Sequence, residues 1–468
     1  MPSHKPNILL IIADQLSHKA LPVYGNRHAR TPAIDSIAEQ GVAFDNHFTA
    51  CPLCQPARAS FWTGLWPHQT GVLSNGRNYP VPQVPASTPS VGSLLSTAGY
   101  ETVHFGKRHD AGALHGFHCE EIQELPAPST EAWPCHYDSR QDEHTTLKTL
   151  EFLYRRHDTP FLCVADLNNP HDICNWIGAH QGAHSDVPVP GLLPPAPDNL
   201  DESDFVNRPL PVRYICCSHN RQAQTGGWTP ENFRYYLAAY YHYVQMLDSN
   251  VGRILDALRT CQDMDNTWVV FMADHGDSMG GHGMVTKQVS FYDETTRVPF
   301  IVAGPGVAER GSVQRSALSS SMDLLPTLCD IAGVKPPDGL WGQSLRPWVA
   351  GRADGSPHEY VASEWHTEWG FTVSPGRMIR TAAHKYTRYI EDGGEELYDV
   401  AADPGEQTSR AHDPAARAQL DRHRDILRKH LEATGDSFET LSWQADSRWR
   451  SHEGGYRAHR GPAAPMVG

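Results

Sequence analysis

Asn7-Ile8-Leu9-Leu10-Ile11-Ile12-Ala13-Asp14-Gln15 is the stretch whose reading decides the fold. The apolar run Ile8 to Ala13 is far shorter than the roughly 20 residues that span a bilayer. It is also too unbroken for a strand with one wet face. It therefore predicts a parallel strand covered by helices on both sides. The run passes into Asp14 and Gln15 without a small-residue cleavage site, so it reads as a buried strand and not as a signal segment, and the chain as cytoplasmic.

Outward from this strand, helices and strands alternate. Thr31-Pro32 has the form of an N-cap followed by proline at the first helical position, with Ile34, Ile37 and Ala38 as the apolar stripe and Gly41 as the stop. Pro89 to Ala98, closed by Gly99, predicts a second helix, and Thr102 to Phe105 the next strand. Pro160 to Leu167 is another buried strand. Thr229-Pro230 opens the clearest helix, whose positions Tyr236, Tyr240, Val244, Leu247, Val251, Ile254 and Leu258 keep a period near 3.6. Trp268 to Ala273 and Val298 to Ala303 read as strands, and Met322 to Ala332, ended by Gly333, as a helix. The pattern predicts an α/β fold with a large, mainly parallel sheet flanked by helices on both faces.

Two regions interrupt the rhythm. Residues 188–211, rich in proline and acid, form an irregular excursion, either a surface loop or the wall of a site. The polar linker Gly351 to Pro357 divides residues 1–350 from residues 351–468, where short strand-like pieces and a helix from about Pro414 to Leu431 suggest a smaller α+β subdomain. No internal repeat at solenoid spacing occurs.

Composition narrows the function. At 468 residues, 39% hydrophobic and 20% charged, the chain is an ordinary globular protein with room for a large core. A net charge of -15 argues against nucleic acid, because phosphate binding needs a basic face. It does not argue against a small anion, since a few local cations can dominate one pocket. No apolar run is long enough for a membrane span. The 10 cysteines are scattered, and the adjacent Cys216 and Cys217 read as structural thiols. Oligomeric state is left open, homo-oligomers included.

In open α/β sheets, ligands bind beyond the carboxyl ends of the strands. There this chain has Asp14 and Gln15; Gly106, Lys107, Arg108 and His109; Asn168, Asn169, Pro170, His171 and Asp172; and Asp274, His275, Gly276 and Asp277. Any one of these is ordinarily a turn residue or a cap. Together they bring carboxylates, a carboxamide, a lysine and histidines to one edge. Such oxygen-rich donors suit calcium or magnesium, and His275 also admits manganese or zinc.

Cys54, in Cys51-Pro52-Leu53-Cys54-Gln55-Pro56-Ala57-Arg58, precedes a helical stretch from Ala59 to Trp62. Pro56 suits a first turn, which places the thiol where the helix dipole favours negative charge. It could be a buried structural cysteine or half of a Cys51-x-x-Cys54 dithiol. The flanking residues open a third reading.

Cys54-Gln55-Pro56-Ala57-Arg58, with Thr63-Gly64, resembles the sulfatase signature Cys-x-Pro-x-Arg followed by Thr-Gly. Other blocks of that family follow in order: Asn7 to Gln15, Gly106-Lys107-Arg108-His109, Pro170-His171, Asp274-His275-Gly276 with Lys287, and Thr296-Arg297-Val298-Pro299. Near the end, Glu396-Leu397-Tyr398-Asp399 with Asp403-Pro404 and Glu406 resembles the C-terminal signature. The resemblance covers nearly the whole chain and places the catalytic α/β domain at 1–350, with 351–468 packing on it and contributing to the pocket.

The family implies that Cys54 is oxidised to formylglycine by a formylglycine-generating enzyme. The aldehyde hydrates to a geminal diol. One hydroxyl, bound to a divalent cation, attacks sulfur and expels the alcohol. The other hydroxyl then loses a proton, the aldehyde reforms and sulfate departs. By the same resemblance, Asp14, Gln15, Cys54, Asp274 and His275 would hold the cation, with Ca2+ the first choice and Mn2+ the second. Arg58 and Lys107 would hold the diol, and His109 would be the base on its second hydroxyl. His171 and Lys287 would bind sulfate oxygens, one of them protonating the leaving alcohol. Two departures weaken the choice of metal: Gln15 stands where many sulfatases have a second aspartate, and His275 replaces an asparagine.

A small sulfated substrate follows, with a carbohydrate sulfate first. Choline sulfate is a rival, because Asn7 to Asn26 and Ser74 to Pro82 resemble choline sulfatases. His104, Asp172, Asn175 and Trp176 are candidates for the substrate pocket, each alternatively a turn or core residue, and Trp365, His366 and Trp369 for an aromatic wall or for core packing. The alternatives are a phosphonate or phosphate monoesterase on the same scaffold, a metal-binding protein with unmodified Cys54, and a dithiol redox protein.

Overall fold

The computed structural model describes residues 5–76, 81–120, 140–179, 192–200, 208–209, 211–212, 228–261, 264–287, 290–366, 374–390 and 393–441. Eight strands build the main sheet: β1 (Asn7–Asp14), β2 (Gly41–Phe48), β3 (Glu101–Gly106), β4 (His118–Cys119), β5 (Phe161–Pro170), β6 (Thr267–Ala273), β7 (Phe300–Ala303) and β8 (Ser312–Ser320). Their spatial order is β4-β3-β5-β1-β6-β7-β2-β8. β1 is buried along its whole length and pairs parallel with β5 and β6, so that Leu10 faces Val164 on one side and Val270 on the other.

Both faces of β1 are covered, as its unbroken apolar run requires. Leu9, Ile11 and Ala13 pack among side chains of the helices Pro32–Gln40 and Pro230–Thr260. Ile8, Leu10 and Ile12 pack against Phe61 and Trp62 of the helix Cys54–Thr63 and Leu325 and Leu328 of the helix Leu324–Ala332. Truncating one such side chain to alanine typically costs about 2–5 kcal/mol. The Pro230–Thr260 helix starts as its sequence predicts, with Thr229 accepting from the backbone of Asn232. Thr31 behaves differently: its side chain makes no capping bond. The carboxylate of Asp248 instead accepts from the backbone N–H groups of Ala33 and Ile34 at 3.3 and 2.8 Å. A buried acid on a neighbouring helix thus takes the place of the local cap.

The sheet is mostly parallel. The expected strand Val298 to Ala303 begins at Phe300 and runs antiparallel to both β6 and β2. The cause is local. Among the described residues, the chain between β6 and β7 contains only short helical turns, Gly281–Gly283 and Asp293–Thr296, and no helix to carry it back across the sheet. It therefore re-enters from the edge at which it left.

The second sheet is antiparallel, in the order β12-β11-β10-β9, from β9 (Tyr360–Trp365), β10 (Gly376–Thr381), β11 (His384–Tyr389) and β12 (Glu395–Asp399). Ile379, Tyr386 and Leu397 on it pack with Leu420, Leu427 and Leu431 of the helix Arg417–Thr434, preceded by a 3-10 turn at Pro414–Ala416. Lys385 ties this sheet to the first, donating to the carbonyl of Phe291 at 3.0 Å and to the carboxylate of Asp293. Trp365 is 1% exposed and packs with Cys51, Leu53 and Met284, so it is core and not an exposed wall. His366 is half-buried, and Trp369 lies outside the described residues, as do Cys216 and Cys217.

Candidate active site

Four strand ends and one helix start converge on a single edge of the main sheet. β1 delivers Asp14, β6 is followed by Asp274 and His275, β5 carries Asp166, and β3 is followed by Lys107. Gly106 makes the last turn possible: its φ is +109°, and a Cβ there would lie 1.9 Å from the carbonyl oxygen of Asp166. That same oxygen accepts the backbone N–H of Lys107 at 3.1 Å. Cys54 is the first residue of its helix, and Arg58, one turn later, points from the same face.

Arg58 organises the floor. Its Nε donates to Asp274 at 2.9 Å, Nη2 to Asp14 at 3.1 Å and Nη1 to Asp166 at 2.5 Å, all out of water. Lys107 also donates to Asp14. Above this floor, one ligand atom each from Asp14, Cys54, Asp274 and His275 lies within 4.8 Å of the others. Cys54 Sγ is 3.0 Å from His275 Nε2, and 4.0 Å from Asp14 Oδ1. His275 Nδ1 faces the carbonyl of Gly276 at 2.9 Å. A carbonyl only accepts, so Nδ1 carries a proton and Nε2 is the atom turned into the cluster.

The charges are strongly coupled. Burial alone would raise the Asp14 carboxyl, but Lys107, His171, Arg58 and Lys287 hold it well below the usual carboxylate range. Burial and neighbouring Asp14 push Asp274 up. Burial and Asp14 also work to raise the Cys54 thiol, yet Lys107, Lys287 and His275 outweigh them and it falls well below an ordinary thiol. The Cys51 thiol goes the other way, raised by burial and by Glu364, and both cysteines are free. Of the two, Cys54 is the one grouped with Asp14, Asp274 and His275.

The donor set fits a divalent cation. Two buried carboxylates and a buried imidazole within reach of one another are costly unless compensated by positive charge, and their oxygen-rich chemistry suits a hard ion. Gln15 sits beside them with φ +67°, a strained value for a residue with a side chain. Its backbone N–H donates to Asp274 Oδ1 at 3.0 Å, its Nε2 donates to Asp277 Oδ2 at 2.7 Å, and its Oε1 accepts from Lys287 Nζ at 2.8 Å. Lys287 and Gln15 thus meet beside the cluster.

His171 follows β5 and is pushed well below the usual histidine range by burial and by Lys287 and Lys107. His109 is half-buried two residues beyond Lys107. The substrate-pocket expectations fare unevenly. Asp172 is buried and accepts from the Asn168 side chain at 2.8 Å, and Asn175 is exposed. Trp176 is 4% exposed and packs in the core near Tyr236, which corrects its reading as a pocket wall. His104 is also corrected: it is enclosed by Trp62 and Phe117, with Nε2 3.1 Å from Asp166 Oδ2. It braces the Arg58 floor from below.

Sequence reasoning passed over Asp166, because it interrupts an apolar run; a single acid inside a fully buried strand was the available signal. Tyr236 was read as part of a helix stripe, yet its hydroxyl donates to Asp277 at 2.6 Å.

A doubly covered α/β sheet whose strand ends hold a buried carboxylate–imidazole–cysteine cluster defines a hydrolase of the sulfatase class. The chain belongs to the Sulfatase family, which it matches over residues 6–334, and residues 280–433 match the C-terminal region of N-sulphoglucosamine sulphohydrolase. It is a sulfatase, an enzyme that hydrolyses sulfate esters. A Delta 4,5-hexuronate-2-O-sulfatase of Bacteroides thetaiotaomicron is 45% identical over 464 residues, covering 99% of this chain and 96% of the relative. A choline-sulfatase of Rhizobium meliloti is 29% identical, covering 97% and 92%. Among solved structures, a 2-O GAG sulfatase superposes with a TM-score of 0.91 at 44% identity, covering 99% of this chain and all of that one. No helix among the described residues is long and apolar enough to cross a membrane.

Proposed function

We propose that this sulfatase removes the 2-O-sulfate from an unsaturated hexuronate, as a small sugar sulfate. The single observation that carries the reading is the 45% identity to the hexuronate sulfatase along almost the entire length of both proteins. The site chemistry is consistent with it. Asp14, Asp274, His275 and the Gln15 carboxamide would hold one divalent cation, Ca2+ first and Mn2+ second, which would lower the cost of negative charge beside residue 54. Cys54 is assigned as the position converted to formylglycine, the aldehyde that provides the nucleophile when hydrated.

The chain's own residues do the rest. Arg58 and Lys107 balance the buried acids and keep Asp14 ionised. Lys287 and His171, both within electrostatic reach of Asp14 and Cys54, are assigned to the sulfate oxygens, the lysine as a fixed cation favouring the charge that develops as the ester bond breaks and the imidazole as a neutral N–H donor. His171, which burial and the two lysines keep neutral, takes up a proton poorly, so Lys287 is assigned to protonate the departing alcohol. His109 is assigned to the proton removal that ends the cycle.

The test uses protein confirmed by mass spectrometry to carry an aldehyde at position 54. Sulfate release is compared on a 2-O-sulfated unsaturated uronic acid disaccharide, its 6-O- and N-sulfated counterparts, choline sulfate and an aryl phosphate. The expected order puts the 2-O-sulfate at least about 100-fold ahead in kcat/KM, a difference of about 2.7 kcal/mol in barrier. Faster release from choline sulfate, or faster phosphate hydrolysis, overturns the assignment.

A further inference from the structure

A carboxamide is ambiguous in a way that a carboxylate is not: one end donates and the other accepts. If Gln15 turned about its terminal bond, it would present N–H groups to Lys287 and to the cation pocket, and both would be repelled. Something has to hold the oxygen forward. Gln15 Nε2 donates to Asp277 Oδ2 at 2.7 Å. The other oxygen of Asp277 accepts from the Tyr236 hydroxyl at 2.6 Å and from the backbone N–H of Met279 at 2.8 Å. Tyr236 in turn accepts the backbone N–H of Thr286 at 2.9 Å, next to Lys287, and Ser278 N–H donates to the Thr286 carbonyl at 2.7 Å. Asp277 and Tyr236 are both fully buried.

We propose that Asp277, locked by Tyr236, is a positioning residue that fixes the Gln15 carboxamide with its oxygen towards Lys287 and the cation pocket. With Oδ1 occupied by the Tyr236 hydroxyl and the Met279 N–H, Asp277 turns Oδ2 to Gln15 as an acceptor; it selects the N–H end of the carboxamide and leaves Oε1 to Lys287, with Cys174 Sγ 3.5 Å away. The same unit closes the loop from Asp277 to Thr286, so the position of Lys287 and the orientation of Gln15 are set by one hydrogen-bonded assembly. This deepens the proposed cation site and rests on Gln15 facing it.

Charge exchange tests it. Gln15→Glu alone places two carboxylates within hydrogen-bond distance, and should lower cation affinity and kcat at least about 100-fold. Adding Asp277→Asn supplies a donor to the new carboxylate and should recover at least tenfold of each. Cation affinity is measured without substrate, by competition of Ca2+ or Mn2+ against a chromophoric chelator, so that a wrong substrate assignment does not affect the result. Asp277→Asn alone, which lets the carboxamide turn, should lower kcat by tenfold or more with KM within threefold, and a preserved near-ultraviolet circular dichroism spectrum checks that it folds. A double variant no better than Gln15→Glu, or an Asp277→Asn enzyme with unchanged kcat and cation affinity, overturns the proposal. If Gln15→Glu does not fold, rescue of folding by Asp277→Asn supports it, and failure of that rescue together with an unaffected Asp277→Asn enzyme overturns it.

Discussion

Arg58 and Asp166 form an ion pair at 2.5 Å with side chains 1% and 0% exposed, and His104 contacts the same Asp166 oxygen. Asp166 thus supports the arginine that bridges Asp14 and Asp274. Asp166→Ala should destabilise the protein by about 3–5 kcal/mol, because it leaves part of a buried guanidinium without a partner. Urea unfolding measures this. A loss below about 1 kcal/mol would show that the pair is not needed for the floor.

Cys54 and Cys51 differ in surroundings, and so should their variants. Cys54→Ala should lower activity by at least about 10,000-fold, since removing a nucleophile can cost about a millionfold in kcat. Cys51→Ala, which touches no ligand in the cluster, should keep kcat within tenfold. Equal losses from the two would revive the dithiol reading.

Chelation should separate stability from chemistry. Stripping divalent ions is expected to lower the Tm by several degrees, and readdition of Ca2+ or Mn2+ to restore it. A ligand at 100 times its Kd contributes about 2.7 kcal/mol. Scanning calorimetry over a dilution series of each ion gives the ranking of the two metals. No shift with any divalent ion would remove the cation site from the account.

His47, buried against Phe300 and bonded to Ser319 at 3.0 Å, gives a pH signature remote from the cluster. Burial, reinforced by nearby His358, pushes it from 6.5 down to about 3. Because the folded state binds this proton more weakly than the unfolded chain, its contribution to stability is complete above pH 6.5. It is withdrawn as pH falls from there towards 3, at up to about 1.4 kcal/mol per pH unit. His47→Gln should flatten the acid limb of the stability curve. A limb of unchanged slope in the variant counts against this.

The legible parts of the molecule were those in which burial is written as a run or a period. β1 has six consecutive apolar residues and the Pro230–Thr260 helix repeats its apolar face through 31 residues, and both lie where they were expected. β2 and β8 were missed, because polar residues such as Asp45, Asn46, Gln314 and Arg315 break any apolar run in the edge strand β8 and in its neighbour β2. In the site, residues that follow a strand were found by position alone. Residues acting from behind them were not: Asp166, His104 and Tyr236 each sit at a position whose ordinary meaning is core. Their role depends on which distant side chain they meet, and local sequence carries no record of that. The same holds for Asp248, a helix residue that caps a different helix.

The pairing of Asn7 with Thr267 has a consequence in time. The pocket does not exist until β6, made some 260 residues after β1, has docked beside it. In the completed fold Cys54 is 1% exposed, beside His275. An enzyme that had to grasp this side chain would reach it only before that closure.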